Sequence, residues 1–164
     1  MPVTAPAGVV LAAGLGTRLR PLTDLRPKAL CPVGGVPLLD HALGRLAPFT
    51  GTGPDRVAVN AHHHADRVLE HVGDRAHLSV EPGTPLGTAG AIGLLRGWID
   101  GRDVMVGNAD AWLRGDLGPF VRGWDGQRCR LLTVETGAAS DFGTRRFVVG
   151  SLLPWSLVRD LPAE

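Results

Sequence analysis

Three side chains and one turn in this sequence have the types and spacing of a phosphate-handling site. Gly14-Leu15-Gly16-Thr17-Arg18 follows a short apolar run. Glycines in such a turn let the backbone approach a ligand closely, and successive inward-pointing amides make a concavity for an anion. Arg18, Arg20, Arg26 and Lys28 come next, with Pro21 and Pro27 stiffening the path between them. A strand, a turn of bare amides and cations on a rigid arm describe a polyphosphate site. Lys28 stands out as the one lysine among 17 basic residues. An ammonium is a compact point charge that can sit between two phosphates, whereas guanidinium prefers a planar, bidentate partner. Asp110 joins Arg18 and Lys28 as the third of these side chains, placed where an apolar run gives way to polar residues. A carboxylate there can hold Mg²⁺ bridging phosphates, or it can cap a helix over 112–124.

Bringing these groups together falls to the elements between them. The apolar run 8–13 reads as a buried parallel strand. Residues 36–46 read as a helix with proline in its first turn, and 48–54 as a loop. Strands are expected over 56–60, 77–81 and 103–108, with a helix over 64–72 and a glycine-rich one over 86–99. Further on, 130–136 and 147–153 read as strands and 154–161 as a helical start. Strands alternating with helices predict a three-layer α/β/α fold around a mostly parallel, Rossmann-like sheet. Ligands of such sheets bind outside the carboxyl ends of the strands. That rule gathers the Gly14 turn, Asn60-Ala61-His62, Glu81-Pro82 and Asn108-Ala109-Asp110 at one edge.

Composition narrows the classes. A chain of 164 residues suits one domain with a substantial core. A net charge of +1 gives no case for nucleic acid or a membrane surface. No apolar stretch reaches transmembrane length, and residues 1–10 carry no basic residue of the kind that opens a secretory leader. Cys31 and Cys129 lie far apart without metal-type spacing, so free, buried thiols in a reducing cytoplasm are expected. His62-His63-His64 suggests a metal, but adjacent side chains point in different directions, which favours a solvated start to a helix. Two rival glycine-rich motifs fail. Leu19 stands where the dinucleotide fingerprint of an oxidoreductase wants its third glycine, and no Gly-Lys-Ser/Thr ending makes a Walker loop.

The run Leu11-Ala12-Ala13-Gly14-Leu15-Gly16-Thr17-Arg18-Leu19-Arg20-Pro21-Leu22-Thr23, followed by Pro27-Lys28-Ala29-Leu30, resembles the signature of the sugar-1-phosphate nucleotidyltransferases. The likeness is to the mannose-1-phosphate guanylyltransferase-like and N-acetylmuramate-1-phosphate uridylyltransferase-like kinds. A second stretch, from Glu81 to Gly90, resembles the family segment that lines base and ribose, although a close-packed helix explains its glycines almost as well. The resemblance implies transfer of a nucleotidyl group from a nucleoside triphosphate to a sugar 1-phosphate. It implies phosphate and nucleotide contacts from Leu11, Ala12, Ala13, Gly14, Gly16 and Thr17, with Gly87 and Thr88 on the nucleotide. Arg18 would meet the leaving pyrophosphate, Lys28 would bridge the two substrates, and Asp110 would hold Mg²⁺. Asn108 and Gly150 would face the sugar. Ala109 departs from the usual Asn-Gly-Asp. The family's later Asp-x-Gly-Thr, source of a second Mg²⁺ ligand, is absent, so the resemblance makes the chain either a fragment or a shortened member. Asp24 or Asp141 would supply that ligand only if the chain by itself matched an extended one in rate and Mg²⁺ dependence. A non-catalytic nucleotide- or sugar-nucleotide-sensing module is the alternative that this loss allows.

Overall fold

The computed structural model describes residues 5–163; the part of the leader reading that rests on residues 1–4 lies outside them. Its centre is a six-stranded sheet in the order β5-β4-β1-β6-β8-β7. These strands are β1 (Ala7–Leu11), β4 (Val57–Ala61), β5 (His77–Val80), β6 (Val104–Asn108), β7 (Arg130–Ser140) and β8 (Gly143–Leu153). The first four in spatial order are parallel, with Leu11 opposite both Asn60 and Asn108. Strand β8 returns antiparallel on β6, and β7 antiparallel on β8. The mostly parallel α/β fold expected from the sequence is therefore the one formed.

Side-chain alternation explains the three layers, since successive residues of a strand face opposite sides. Val10, Val57, Val59 and Met105 point to one face, where they meet Leu39, Ala42 and Leu46 of α2 (Leu38–Thr50) and Val68 and Val72 of α3 (Ala65–Val72). Ala7, Val9, Ala58, Val104 and Val106 point to the other. There they meet Ile92 of α4 (Gly87–Leu94), Ile99 of α5 (Arg96–Ile99) and Val158 of α7 (Trp155–Val158). Strands covered on both sides read as continuous apolar runs. The smaller elements are α1 (Leu22–Leu25), the two-residue pair β2 (Pro32–Val33) and β3 (Val36–Pro37), and α6 (Gly118–Val121).

Several boundaries differ from expectation for physical reasons. Strand β1 ends at Leu11 because the next amide, Ala12 N, donates to the Asn60 side chain and not to a neighbouring strand. Val36 and Pro37 pair with β2, and α2 runs on through Pro48 where a loop was expected. Proline removes the bond to the Gly44 carbonyl, but Gly44 is exposed and water can serve that group. The helix expected over 86–99 is two, joined at Leu95 (φ −83°, ψ −1°). Of the helix suggested over 112–124 only α6 forms, so Asp110 caps no helix. Strands β7 and β8 are longer than predicted. Past the last β6 pair, Gly107 with Gly150, they continue as a two-stranded arm. At its root Val149 holds φ +38°, a left-handed conformation rare for a β-branched residue.

Candidate active site

The carboxyl ends of β1, β4, β5 and β6 open onto a cleft of about 230 Å³. One wall is the chain leaving β1, from Leu11 through Ala12 and Ala13 to Gly14, and beside it runs Asn108-Ala109-Asp110 from β6. The facing wall is Pro85, Gly87 and Thr88 at the start of α4, with Asn60 and Glu81 between the walls and Lys28 and Ala29 at the rim. A Cβ added at Gly14 or Gly87 would meet no atom within 4 Å, and both residues are exposed, so the backbone at both walls faces open space.

Lys28 and Asp110 are 82 positions apart in sequence, yet Nζ lies 3.0 Å from Oδ2. A short 3₁₀ turn, Lys28–Leu30, presents the lysine, and the end of β6 presents the aspartate. Arg45 of α2 supports that end from behind, where its Nη2 donates to the Asn108 carbonyl at 3.2 Å. Burial draws the Arg45 guanidinium below its usual pKa range, although arginine keeps its charge in proteins.

Not every expected residue lines the cleft. Gly16 has φ +65°, and a Cβ there would lie 2.7 Å from Thr23 Cγ2. Its carbonyl accepts from Thr23 Oγ1 at 2.9 Å, so this glycine packs the turn and forms none of the wall. Thr17 and Arg18 stand exposed on the 3₁₀ turn Thr17–Leu19, away from the cleft lining. Gly150 is buried in the sheet opposite Gly107, where an added Cβ would come within 3.3 Å of the Val106 carbonyl, and it too is outside the lining. Along α4, Gly87 faces open space, but Gly90 and Gly93 are buried, and a Cβ at Gly93 would strike the Pro162 carbonyl at 1.9 Å. Ligand space and close packing thus divide the glycines of one segment between them.

The histidine run is neither solvated nor a chelate. All three side chains are half-buried. His62 Nε2 lies 2.7 Å from the Gly83 carbonyl and His63 Nε2 3.2 Å from that of Thr23, so they pin the 81–86 loop and α1, while His64 turns left-handed (φ +51°) to begin α3. Cys31 is buried as expected, but Cys129 is exposed, and both are free. Among the described residues no group of three or more His, Cys, Asp or Glu is placed to hold a metal ion. Asp24 pairs with Arg20 at 3.2 Å, and Asp141 accepts from the Phe147 amide at 2.9 Å. A single half-exposed carboxylate still fits an Mg²⁺ that arrives on a polyphosphate, because that ion accepts one or two carboxylates with waters and phosphates completing its shell.

Asn60 and Glu81 are the polar residues that motif reading left out of the site. Asn60 is the one polar residue of β4 and Glu81 directly follows β5, and a polar side chain at the carboxyl end of a strand was the available signal. Arg45 left none, since a helical arginine reads as surface.

Comparison with known proteins bears on the family and the fold. The nucleotidyl transferase family profile matches residues 7–147. The chain is 36% identical over 143 residues to the N-acetylmuramate alpha-1-phosphate uridylyltransferase of Caulobacter vibrioides, covering 78% of this chain and 58% of that one. It is 35% identical over 118 residues to the mannose-1-phosphate guanylyltransferase of Mycobacterium tuberculosis, covering 69% and 32%. The chain thus spans less than two thirds of either relative. Among solved structures, HddC of Yersinia pseudotuberculosis complexed with GMP-PN is similar with a TM-score of 0.72 at 21% identity, over 96% of this chain and 80% of that one. The inositol-1-phosphate CTP transferase of T. maritima is similar with a TM-score of 0.73 at 15% identity, over 94% and 73%. At such identities the likeness speaks for the fold. The profile, by contrast, runs through every strand end that builds the cleft, and by it the chain belongs to the nucleotidyl transferase family.

Proposed function

We propose that this chain carries the nucleotide site of an enzyme that transfers a nucleotidyl group from a nucleoside triphosphate to a sugar 1-phosphate, releasing pyrophosphate. The observation that carries the proposal is the meeting of Lys28 and Asp110 at the rim of a cleft walled by bare backbone. The attacking group would be a phosphate oxygen, ionised near neutrality because its second pKa is about 6, so no general base is required. The difficulty is to bring two anions together, and catalysis rests on charge neutralisation. Lys28 would hold the reacting phosphate against the incoming one. Asp110 would hold Mg²⁺, which when bound supplies positive charge to the phosphates. Pairing in the free protein does not obstruct this, since an ion pair this open to water is worth about 0–1 kcal/mol and separates cheaply.

The Gly14 backbone and, on the facing wall, Gly87 and Thr88 would take the nucleotide, with Asn108 toward the sugar. Arg18 would reach the terminal phosphates from its exposed turn. A reducing cytoplasm as the place of action is supported by two unpaired cysteines. The test mixes the chain with each of the four nucleoside triphosphates, Mg²⁺ and a panel of sugar 1-phosphates, and follows pyrophosphate. Release that requires both substrates is the expected result. Triphosphate binding without release from any pairing would sink the catalytic reading and leave a binding module.

A further inference from the structure

Asn60 and Glu81 are 2% and 5% exposed, and polar groups so deeply buried cost stability unless their donors and acceptors are met. Here each side-chain polar atom is met, in a directed chain. Ala12 N donates to Asn60 Oδ1 at 2.8 Å, Asn60 Nδ2 donates to Glu81 Oε1, and Leu86 N donates to Glu81 Oε2 at 2.8 Å. The Asn60 amide has one workable orientation, because a backbone N–H lies on one side and an accepting oxygen on the other. The two ends of the chain are the two walls of the cleft. Ala12 lies just past the end of β1, and Leu86 immediately precedes Gly87 and Thr88. Neither amide is fixed by the strand ladder, and residues 81–86 have no regular secondary structure.

We infer that Asn60 and Glu81 are positioning residues, a hydrogen-bonded clasp that sets the separation of the Leu11–Gly14 wall from the Pro85–Thr88 wall and thereby the fit of the nucleotide. The inference rests on the nucleotide site proposed above. It differs from a reading in which the Glu81 carboxylate contacts the nucleotide itself, and donor–acceptor bookkeeping separates the two. In Glu81→Gln the new amide sets a donor against either Leu86 N or Asn60 Nδ2, and one bond is lost. In Asn60→Asp two acceptors face each other. In the double variant Asn60→Asp/Glu81→Gln every bond returns. Leu86 N then donates to the carbonyl oxygen of the new amide at position 81. The NH₂ of that amide donates to the new carboxylate at position 60, whose other oxygen accepts from Ala12 N. The negative charge meanwhile moves from position 81 to position 60.

The experiment titrates each of the four nucleoside triphosphates, with Mg²⁺, into the wild-type chain and the three variants by calorimetry, at a temperature where thermal melts show each protein folded. Each single substitution is expected to weaken the best-bound triphosphate at least tenfold, and the double to bind within fivefold of wild type. Loss of packing alone would lower the melting temperature without moving affinity in the folded state. A double variant more than fivefold weaker than wild type overturns the clasp and makes the charge at 81 itself the ligand contact. Single variants that bind like wild type overturn it as well. Should a single variant fail to fold, the double is judged directly against wild type by the same fivefold limit. A wild type that binds none of the four triphosphates overturns the functional reading and the positioning role with it. A wild type that binds, with variants that show no rescue, overturns the clasp alone.

Discussion

Gly14 and Gly16 lie two residues apart and answer to different forces. At Gly14 an added methyl meets open space, so Gly14→Ala should change stability by no more than about 0.5 kcal/mol, as surface substitutions do. The same methyl occupies the room proposed for phosphate and should weaken triphosphate binding by about 1–3 kcal/mol, the usual cost of overpacking. At Gly16 an alanine must adopt φ +65° against Thr23 Cγ2. A left-handed conformation costs about 1–2 kcal/mol for a residue with a Cβ, and the clash adds to it, so Gly16→Ala should lose stability first. Urea melts paired with triphosphate titrations check both, and a reversed pattern would place the ligand at Gly16. Lys28 offers a second residue-level test. An amine-directed reagent can modify only this side chain and the α-amino group, which mass spectrometry separates. Mg-triphosphate with sugar 1-phosphate should protect Lys28, and Asp110→Asn should speed its labelling by releasing the ion pair. Equal labelling in every state, with turnover intact, would remove Lys28 from the site.

Between elements, a contact whose strength depends on pH joins α2 to α3. Asp40 of α2 receives His71 Nε2 of α3 at 3.0 Å and Arg75 Nη1 at 2.8 Å. Burial pushes the Asp40 carboxyl up, but hydrogen bonds from Arg75 and His71, with their charges, outweigh it and hold the pKa below its ordinary value. A carboxyl depressed in the folded state adds stability that is present above its unfolded pKa, about 3.9, and is lost as the pH falls through the folded value. The difference in melting temperature between wild type and Asp40→Asn should therefore shrink as the pH falls below about 4. A difference that persists to lower pH would show that the contact acts through shape and not charge. The parallel half of the fold was legible because β1, β4 and β6 are apolar on both faces and each runs out into polar or glycine-rich chain. Residues 112–124 misled because their apolar spacing suits a helix, whereas Gly115 (φ +135°) and Gly123 (φ +67°) leave the helical region on either side, and Pro119 in the first turn of α6 cannot continue a helix from upstream. The place of Asp110 beside the Gly14 turn followed from the strand-end rule, and that of Lys28 from the family resemblance. The Asn60–Glu81 clasp did not, since no local pattern tells which of two polar strand ends will meet.

Across the whole molecule, stability is unevenly spread. Strands β1, β4 and β6 lie inside the sheet between two apolar layers, whereas the arm over 133–147 pairs only with itself and is largely exposed. Two strands alone are marginally stable in water, so the arm should open at a small fraction of the roughly 5–15 kcal/mol that a domain resists. The second exposed region is the cationic segment after Gly14, with Arg18, Arg20 and Arg26 all solvent-facing. Trypsin reads the two regions separately. Arg20 and Arg26 precede prolines and resist cleavage, and Lys28 is half-buried and paired with Asp110, which leaves the bond after Arg18 as the sensitive one there, while Arg145 and Arg146 mark the arm. In the free protein both regions should be cut before the core. If Arg18 closes over the terminal phosphates, saturating Mg-triphosphate should suppress cleavage after Arg18 and leave cleavage after Arg145 and Arg146 unchanged, because neither of these two arginines lines the cleft. Mass spectrometry of the fragments gives both rates in one digest. Cleavage after Arg18 that proceeds equally with and without triphosphate, while calorimetry reports a filled site, would remove Arg18 from the ligand and leave phosphate recognition to the Gly14 backbone and Lys28.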